Sequence, residues 1–372
     1  MIIKDINVES LQTVMKGMDI IMNTRIIKID KDNFQVKELY EAAEILRNGG
    51  LVAFPTETVY GLGANGLDKE ASKKIYAAKG RPSDNPLIVH IADKNDMEVL
   101  ASEVPDMAYK LAESFWPGPL TIILKKKETV PYETTGGLDT VAIRLPANVI
   151  ARELIKYSKV YVAAPSANLS GKPSPTKADH VINDLSGKID MVIDGGKATL
   201  GLESTIVDLS EGAPMILRPG FITKEILENV IGPVIYDPAI VGETRDLNIR
   251  PKAPGMKYRH YAPEGSLTIY SGELDNVITT INKMAKEKLD KGYSVGIIAT
   301  EETKNFYQYG MIKSIGTRKD EASIAAGLYE ILREFDKLHT EYIYTENFSD
   351  NRYGQAIMNR LLKAAGYQIV NV

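Results

Sequence analysis

Two cations stand two residues apart in Lys79-Gly80-Arg81-Pro82, which opens the stretch Lys79 to His90. A guanidinium offers a planar fork and an ammonium a point charge, so a rigid basic turn of this kind can grip a phosphate chain. The plain alternative is a helix end whose last charges complement the dipole, with Gly80 as its cap. Another cation, Arg144, lies in the alternating run Thr140 to Pro146, on the face shared by Thr140 and Ala142. Buried in a strand it needs a partner, either a salt bridge or a ligand carboxylate. Pro165-Ser166-Ala167-Asn168 follows an apolar run. It would stand just past a strand's carboxyl end, where open α/β sheets bind ligands, although an ordinary Ser/Asn turn reads the same way. Phe54 to Gly63 supplies hydroxyls, a carboxylate and glycines that let backbone approach a ligand. Gly201 to Thr205 repeats that chemistry before another strand, and Ile216 to Gly220 carries Arg218 at a strand end. Between Arg250 and Tyr261 there are four basic residues and no acid, which suggests a nearby anion or a solvated linker.

The elements that must position these groups follow from periodicity. Asp68 to Ala78 reads as a helix through Ala71, Ile75 and Ala78, and Leu87 to Ala92 as a strand. Val36 to Asn48 reads as a helix ended by Gly49-Gly50, with strand-like runs at Arg25 to Ile29 and Leu51 to Phe54. Further strands are expected at 120–126, 140–146, 160–164, 190–194, 204–209 and 215–218, and helices at 106–116, 148–158, 177–186 and 223–231. This alternation argues α/β with a largely buried sheet. Tyr236 to Pro263 breaks it with four prolines and two glycines, and is a linker or a functional loop. A second alternation follows: strands at 267–270, 294–299, 311–315 and 341–344, helices at 275–291, 321–338 and 353–365. It reads as a small doubly wound α/β unit without a Gly-x-Gly-x-x-Gly or Walker A pattern of its own. The expected organisation is an N-terminal extension at 1–29, a catalytic domain at 30–235, a linker at 236–263 and a C-terminal domain at 264–372.

Composition narrows the classes. The chain has 372 residues, 44% hydrophobic and 25% charged, as for a globular protein of two domains. A formal charge of -4 argues against a large nonspecific nucleic-acid surface. With no Cys there is no disulfide, no Cys zinc site and no thiol nucleophile, which suits a cytoplasmic protein. No apolar run approaches the length of a bilayer span.

Taken together the segments resemble the YrdC/Sua5 family of threonylcarbamoyl-adenylate synthases. The matching pieces are FPTETVYGLG at 54–63, KGRPSDNPL at 79–87, WPGPLT at 116–121, VAIRLP at 141–146, APSAN at 164–168, ESTIVD at 203–208 and LRPG at 217–220. APGMKYRHYAP at 253–263 resembles the link to the extra domain of the long, two-domain members. The resemblance implies a YrdC-like twisted mixed-sheet catalytic domain and a smaller Rossmann-like C-terminal Sua5 domain. It implies that L-threonine, bicarbonate or carbon dioxide, and ATP give threonylcarbamoyl-adenylate and pyrophosphate. This is the first step of threonylcarbamoyladenosine formation in tRNA, with a separate protein or complex doing the transfer and tRNA involved only indirectly. Such chemistry needs no enzyme nucleophile, only positioning and charge neutralisation.

The family's KxR and SxN patterns fall on Lys79, Arg81, Ser166 and Asn168. By the same resemblance Arg81, Asn85, Thr140, Ser166, Ser174 and Arg218 contact ATP, with Lys79 on the phosphates. Thr58, His90, Arg144, the Ala164 backbone and Ser204 hold threonine, with Arg144 on its carboxylate. His90 could take a proton from the threonine ammonium. Mg²⁺ would arrive with ATP, since no dedicated carboxylate cluster is visible. Tyr258, His260 and Tyr261 in the linker would close over the nucleotide as a lid. Two other readings share the fold. An RNA-binding or ribosome-maturation factor is opposed by the acidic charge balance. The related hydrogenase-maturation carbamoyltransferase requires Cys-rich zinc fingers, which this chain cannot build.

Overall fold

The computed structural model describes residues 23–241, 251–254, 261–348 and 353–372. The basic turn shows how local sequence sets the frame. Asp68 caps helix Lys69–Lys79 by accepting the Glu70 and Ala71 N–H groups at 2.8 and 3.3 Å. The helix stops at Gly80, whose φ of +60° is the left-handed conformation that glycine adopts without steric cost. Arg81 therefore leaves the helix in a direction of its own, and the two cations part company.

Eleven strands form the first sheet: β1 Arg25–Lys28, β2 Val52–Phe54, β3 Gly61–Asn65, β4 Ile88–His90, β5 Leu120–Lys125, β6 Thr140–Arg144, β7 Val162–Ala164, β8 Met191–Asp194, β9 Thr205–Asp208, β10 Met215–Arg218 and β11 Ile235–Tyr236. Their order is β1-β8-β2-β3-β7-β4-β6-β5-β9-β10-β11. Parallel pairs such as β4–β6 and β5–β9 mix with antiparallel pairs such as β4–β7 and β5–β6, the mixed sheet expected of a YrdC-like domain.

Five strands form the second sheet: β12 Ser266–Ser271, β13 Val295–Ala299, β14 Met311–Ser314, β15 Tyr342–Glu346 and β16 Ile369–Asn371. The order is β14-β13-β15-β12-β16 and every pairing is parallel. Helix Leu274–Leu289 covers one face through Val277, Ile281 and Ala285. Helices Glu321–Lys337 and Gly354–Ala364 pack on Ile269, Ile298 and Ile343 of the other. Helices on both faces of a parallel sheet make the unit doubly wound.

Three expectations need correction. Arg25–Lys28, assigned to an N-terminal extension, is an edge strand paired in parallel with β8, and the Thr24 hydroxyl bonds to the Ile189 carbonyl at 2.6 Å. The extension therefore ends before Thr24. Gly61 to Asn65, which holds the two glycines expected to let backbone approach a ligand, is a strand. A Cβ at Gly63 would come within 2.8 Å of the Phe54 ring and of Val162, so this glycine makes room for a buried phenyl group. Finally, the linker does not start as irregular chain. Ile235–Tyr236 pairs with β10 and Pro238–Val241 is a helical turn. Ala253 then lies buried in a cluster with Ile88, Ala142 and Leu217 of the first domain.

The two domains share one core. Val59, Leu202 and Phe221 of the first pack with Leu328, Tyr329 and Leu332 of the second. At Gly201 an added Cβ would stand 2.6 Å from the Ala326 Cα, so the backbones approach within reach only of glycine.

Candidate active site

A cleft of about 560 Å³ of unfilled space opens where the first sheet's loops meet the linker. Parallel pairing of β4 and β6 puts His90 directly beside Arg144. Arg144 is almost fully buried and three groups hold its fork. Nη2 lies 2.6 Å from Glu57 Oε1, Nη1 donates to the Thr58 hydroxyl at 3.0 Å, and Nε to the Gly118 carbonyl at 3.3 Å. The Thr58 hydroxyl is in turn 2.9 Å from that of Thr56. Both alternatives for Arg144 thus meet: it has a salt-bridge partner and it faces the cleft. Glu57 Oε2 is buried with no hydrogen-bond partner, which leaves an acceptor beside the guanidinium.

His90 is buried, and its Nδ1 is 3.1 Å from the Ile88 carbonyl. If Nδ1 carries the proton of the neutral ring, Nε2 is the acceptor. Burial first, then the Arg144 charge, pull its pKa down to about 3. His90 is therefore neutral near pH 7. It can accept a hydrogen bond, but it is a weak base as built, which corrects the expectation of a ready proton acceptor.

Lys79 and Arg81 part in function as they part in direction. The buried Lys79 ammonium donates to the Ser166 and Asn168 carbonyls and does not line the cleft. Burial and the neighbouring Arg81 charge pull its pKa well below the usual lysine range. The expected phosphate contact is thus replaced by a staple on the turn after β7. Within that turn Ser166 Oγ donates to Asn168 Oδ1 at 2.5 Å, and Asn168 Nδ2 donates to the Leu169 and Lys172 carbonyls. Arg81 does line the cleft. Its Nε and Nη2 donate to the Asn85 and Pro86 carbonyls at 3.3 and 3.1 Å, and burial draws its pKa down to about 10.

Across the cleft, Arg218 at the end of β10 is buried, and its guanidinium grips Ser204. Nε donates to the Ser204 carbonyl and Nη2 to its hydroxyl, each at 3.0 Å. The same hydroxyl is 2.7 Å from that of Thr121. Nη1 reaches the Pro254 carbonyl of the linker at 3.5 Å. Pro254 and Tyr261 both line the cleft, so the described ends of the linker lie on the site. Tyr258 and His260 lie outside the described residues.

The cleft therefore gathers Thr58, Arg81, His90, Arg144, Ala164, Ser166, Arg218 and Tyr261 among the expected residues. Ser204 and Asn168 stand one contact behind it. Three expected ATP contacts do not line the cleft: Ser174 and Asn85 also stand one contact behind it, Ser174 donating to Glu203 at 2.6 Å and Asn85 offering its carbonyl to Arg81 while its buried Oδ1 has no partner, and Thr140 begins β6. The carboxylates of Phe54–Gly63 and Gly201–Thr205 are visible in the sequence, but neither Glu57, which holds Arg144, nor Glu203, which lines the cleft, was given a role there. A carboxylate in an apolar motif facing a known cation was the available signal.

A family model described as telomere recombination, covering Sua5, YciO and YrdC, matches residues 44–220. A second, the threonylcarbamoyl-AMP synthase C-terminal domain, matches 222–366. The threonylcarbamoyl-AMP synthase of Pyrococcus abyssi is 47% identical over 355 residues, covering 95% of this chain and 100% of its own length. The chain belongs to the threonylcarbamoyl-AMP synthase family. The Bacillus subtilis member is 48% identical over 90% of this chain and 94% of its own. The crystal structure of P. abyssi Sua5 complexed with L-threonine superposes with a TM-score of 0.88 at 46% identity, covering 94% of this chain and 100% of that one. The two family models meet near residue 221, so the second takes in β11 and the linker as well as the parallel sheet.

Proposed function

We propose that this chain joins L-threonine, carbon dioxide or bicarbonate, and ATP into threonylcarbamoyl-adenylate, releasing pyrophosphate. The observation that carries the reading is the convergence of Arg81, Arg144 and Arg218 on one small cleft beside neutral His90. Three cations around one cleft suit an anionic amino acid meeting a nucleotide phosphate. It is joined by the threonine complex of the P. abyssi relative.

In this reading the threonine carboxylate takes the face of Arg144 that Glu57 leaves open, and the Thr58 hydroxyl stands beside it on the cleft wall. The amine nitrogen attacks carbon dioxide and loses a proton, which gives a carbamate. A carbamate oxygen then attacks the α-phosphorus, and the bond to the β-phosphate oxygen breaks with release of pyrophosphate. Arg81 and Arg218 neutralise the charge that builds on the phosphoryl oxygens. A bound carboxylate would offset the Arg144 charge that lowers His90 and so strengthen that ring as an acceptor. Lys79 acts one step back, by fixing the Ser166–Asn168 turn.

Among the described residues no group of three or more His, Asp or Glu could hold a metal. The cleft's carboxylates are few and Glu203 is already committed to donors from both domains. A Mg²⁺ would therefore be held chiefly by the nucleotide's own phosphates, whose charge it would offset. No helix among the described residues is long and apolar enough to cross a membrane. We place the chain in the cytoplasm, handing its labile product to a separate transfer protein, with tRNA met only through that partner.

The test is incubation with ATP, threonine and labelled bicarbonate. A labelled threonylcarbamoyl-adenylate, absent when threonine or ATP is omitted, is expected. Salt-sensitive RNA binding with no such product would favour the RNA-binding reading instead.

A further inference from the structure

The second domain places two side chains against the floor of the cleft. Arg360 is fully buried in helix Gly354–Ala364, and Tyr329 is fully buried in helix Glu321–Lys337. Arg360 Nε donates to Glu203 Oε2 at 3.1 Å and Nη2 to the Glu203 carbonyl at 3.3 Å. Its Nη1 donates to the carbonyl of Pro219. Tyr329 Oη lies 3.0 and 2.9 Å from the two Glu203 carboxylate oxygens. Glu203 precedes Ser204, Pro219 follows Arg218, and Arg218 itself holds Ser204. These contacts close a ring: Arg360 to Glu203, along the chain to Ser204, across to Arg218, along the chain to Pro219, and back to Arg360. Tyr329 also supports Tyr261, whose ring centroid lies 5.1 Å away and which lines the cleft.

We propose that Arg360 and Tyr329 are positioning residues of the active site, which set Ser204 and Arg218 through Glu203 and so make the second domain part of the catalytic unit. The proposal rests on the functional reading above and adds a role for the second domain. The physical argument is one of constraint. A long arginine such as Arg218 has many rotamers, and a displacement of its guanidinium of about 1 Å is enough to cost ~10²-fold in rate. Fixing the backbone on both sides of the Arg218–Ser204 pair removes that freedom. A buried carboxylate with this many donors has little freedom to move. The contacts could not be spent on docking alone at lower cost, because the domains already dock through an apolar core and through Lys177 and Lys197 on Glu330.

That second set of contacts supplies the control. Tyr329→Phe removes one hydroxyl, with its hydrogen bonds to Glu203 and Tyr261, and keeps the ring under Tyr261. Glu330→Gln weakens the pairs with Lys177 and Lys197 and touches no group that lines the cleft. Threonine-dependent pyrophosphate release is measured for the full chain, for both variants, for Glu203→Gln, and for Glu203→Gln with Tyr329→Phe. The expected result is a fall in kcat/KM of about ten-fold for Tyr329→Phe. Its thermal midpoint should stay within the range of Glu330→Gln, which keeps wild-type kcat/KM. In the Glu203→Gln background the Tyr329→Phe change should add little further loss, because the two act as one unit. Equal kcat/KM for Tyr329→Phe and Glu330→Gln, or full additivity with Glu203→Gln, overturns the proposal and leaves the functional reading standing. An inactive wild-type chain overturns both.

Discussion

Two sets of buried cations, one in each domain, are treated oppositely. In the second, Arg333 and Arg360 reach across to Asp184 and Glu203. In the first, Lys79, Arg81 and Arg218 are buried, yet among the described residues none has a carboxylate within ion-pair distance. They are held instead by backbone carbonyls and, for Arg218, a hydroxyl. The electrostatics follow. Burial draws Arg81 and Arg218 below the usual arginine range, while for Arg360 burial is outweighed by the Glu203 charge together with Tyr261, Tyr329 and the hydrogen bond to Glu203, which hold the group above it. A buried charge without a counter-charge costs free energy that a domain needing only stability would avoid. The first domain keeps two such charges facing a cleft, where a phosphate can compensate them. The second spends its charges on holding that cleft in shape.

The comparison can be broken most severely at Arg333, whose guanidinium holds Asp184 at 2.7 Å and the Pro173 carbonyl. Arg333→Met strands a buried carboxylate and should cost about 3–5 kcal/mol in denaturant unfolding. A loss near zero would mean that the interdomain pairs are ornamental. Arg81→Met should do the reverse. Pyrophosphate release should fall by ~10²–10³, as for loss of one donor to the transition state. The melting temperature should hold or rise, since an uncompensated charge leaves the interior. A destabilised variant with intact turnover would place Arg81 among the structural cations.

A smaller effect is expected at Arg144, the one cleft cation that does have a carboxylate partner. Arg144→Lys keeps charge and loses the fork, so KM for threonine should rise about ten-fold while KM for ATP moves little. An unchanged threonine KM would assign Arg144 wholly to Glu57. The smallest effect concerns pH. Burial, then Arg333 and Lys337, pull His180 down to about 3. The unfolded chain, with an ordinary histidine value of about 6.5, binds that proton first as pH falls. Stability is therefore intact above about pH 6.5 and is lost as pH drops toward 3. His180→Asn should flatten the stability curve between those limits by roughly one proton, and an unaltered slope would mean the ring is already charged in the folded state.

Much of this architecture is legible in the sequence because it is local. Helix Lys69–Lys79, its Asp68 cap and its Gly80 stop are written within thirteen residues. The break at Tyr236 and the second alternation expose the two-domain plan. What stays hidden is whatever needs a partner far along the chain. Gly63 reads as a ligand approach until the Phe54 ring is seen to fill its missing side chain. Lys79 and Arg81 are equivalent as letters, and only the left-handed turn at Gly80 decides that one faces a carbonyl staple and the other the cleft. Glu203 and its donors Tyr329 and Arg360 are 126 and 157 residues apart, beyond any periodicity. Short β16 escaped for a different reason: Ile369–Asn371 is exposed along its length, so it carries no burial pattern.

In the proposed reaction these cations serve one step in which threonine, carbon dioxide and ATP meet in one cleft. Steady-state pyrophosphate release by the full chain, with each substrate omitted in turn, tests it most directly. Release is expected only when ATP, threonine and bicarbonate are all present, with adenylate appearing as the mixed anhydride with the threonylcarbamoyl group. Release from ATP alone at the same rate, or none with all three, would contradict it.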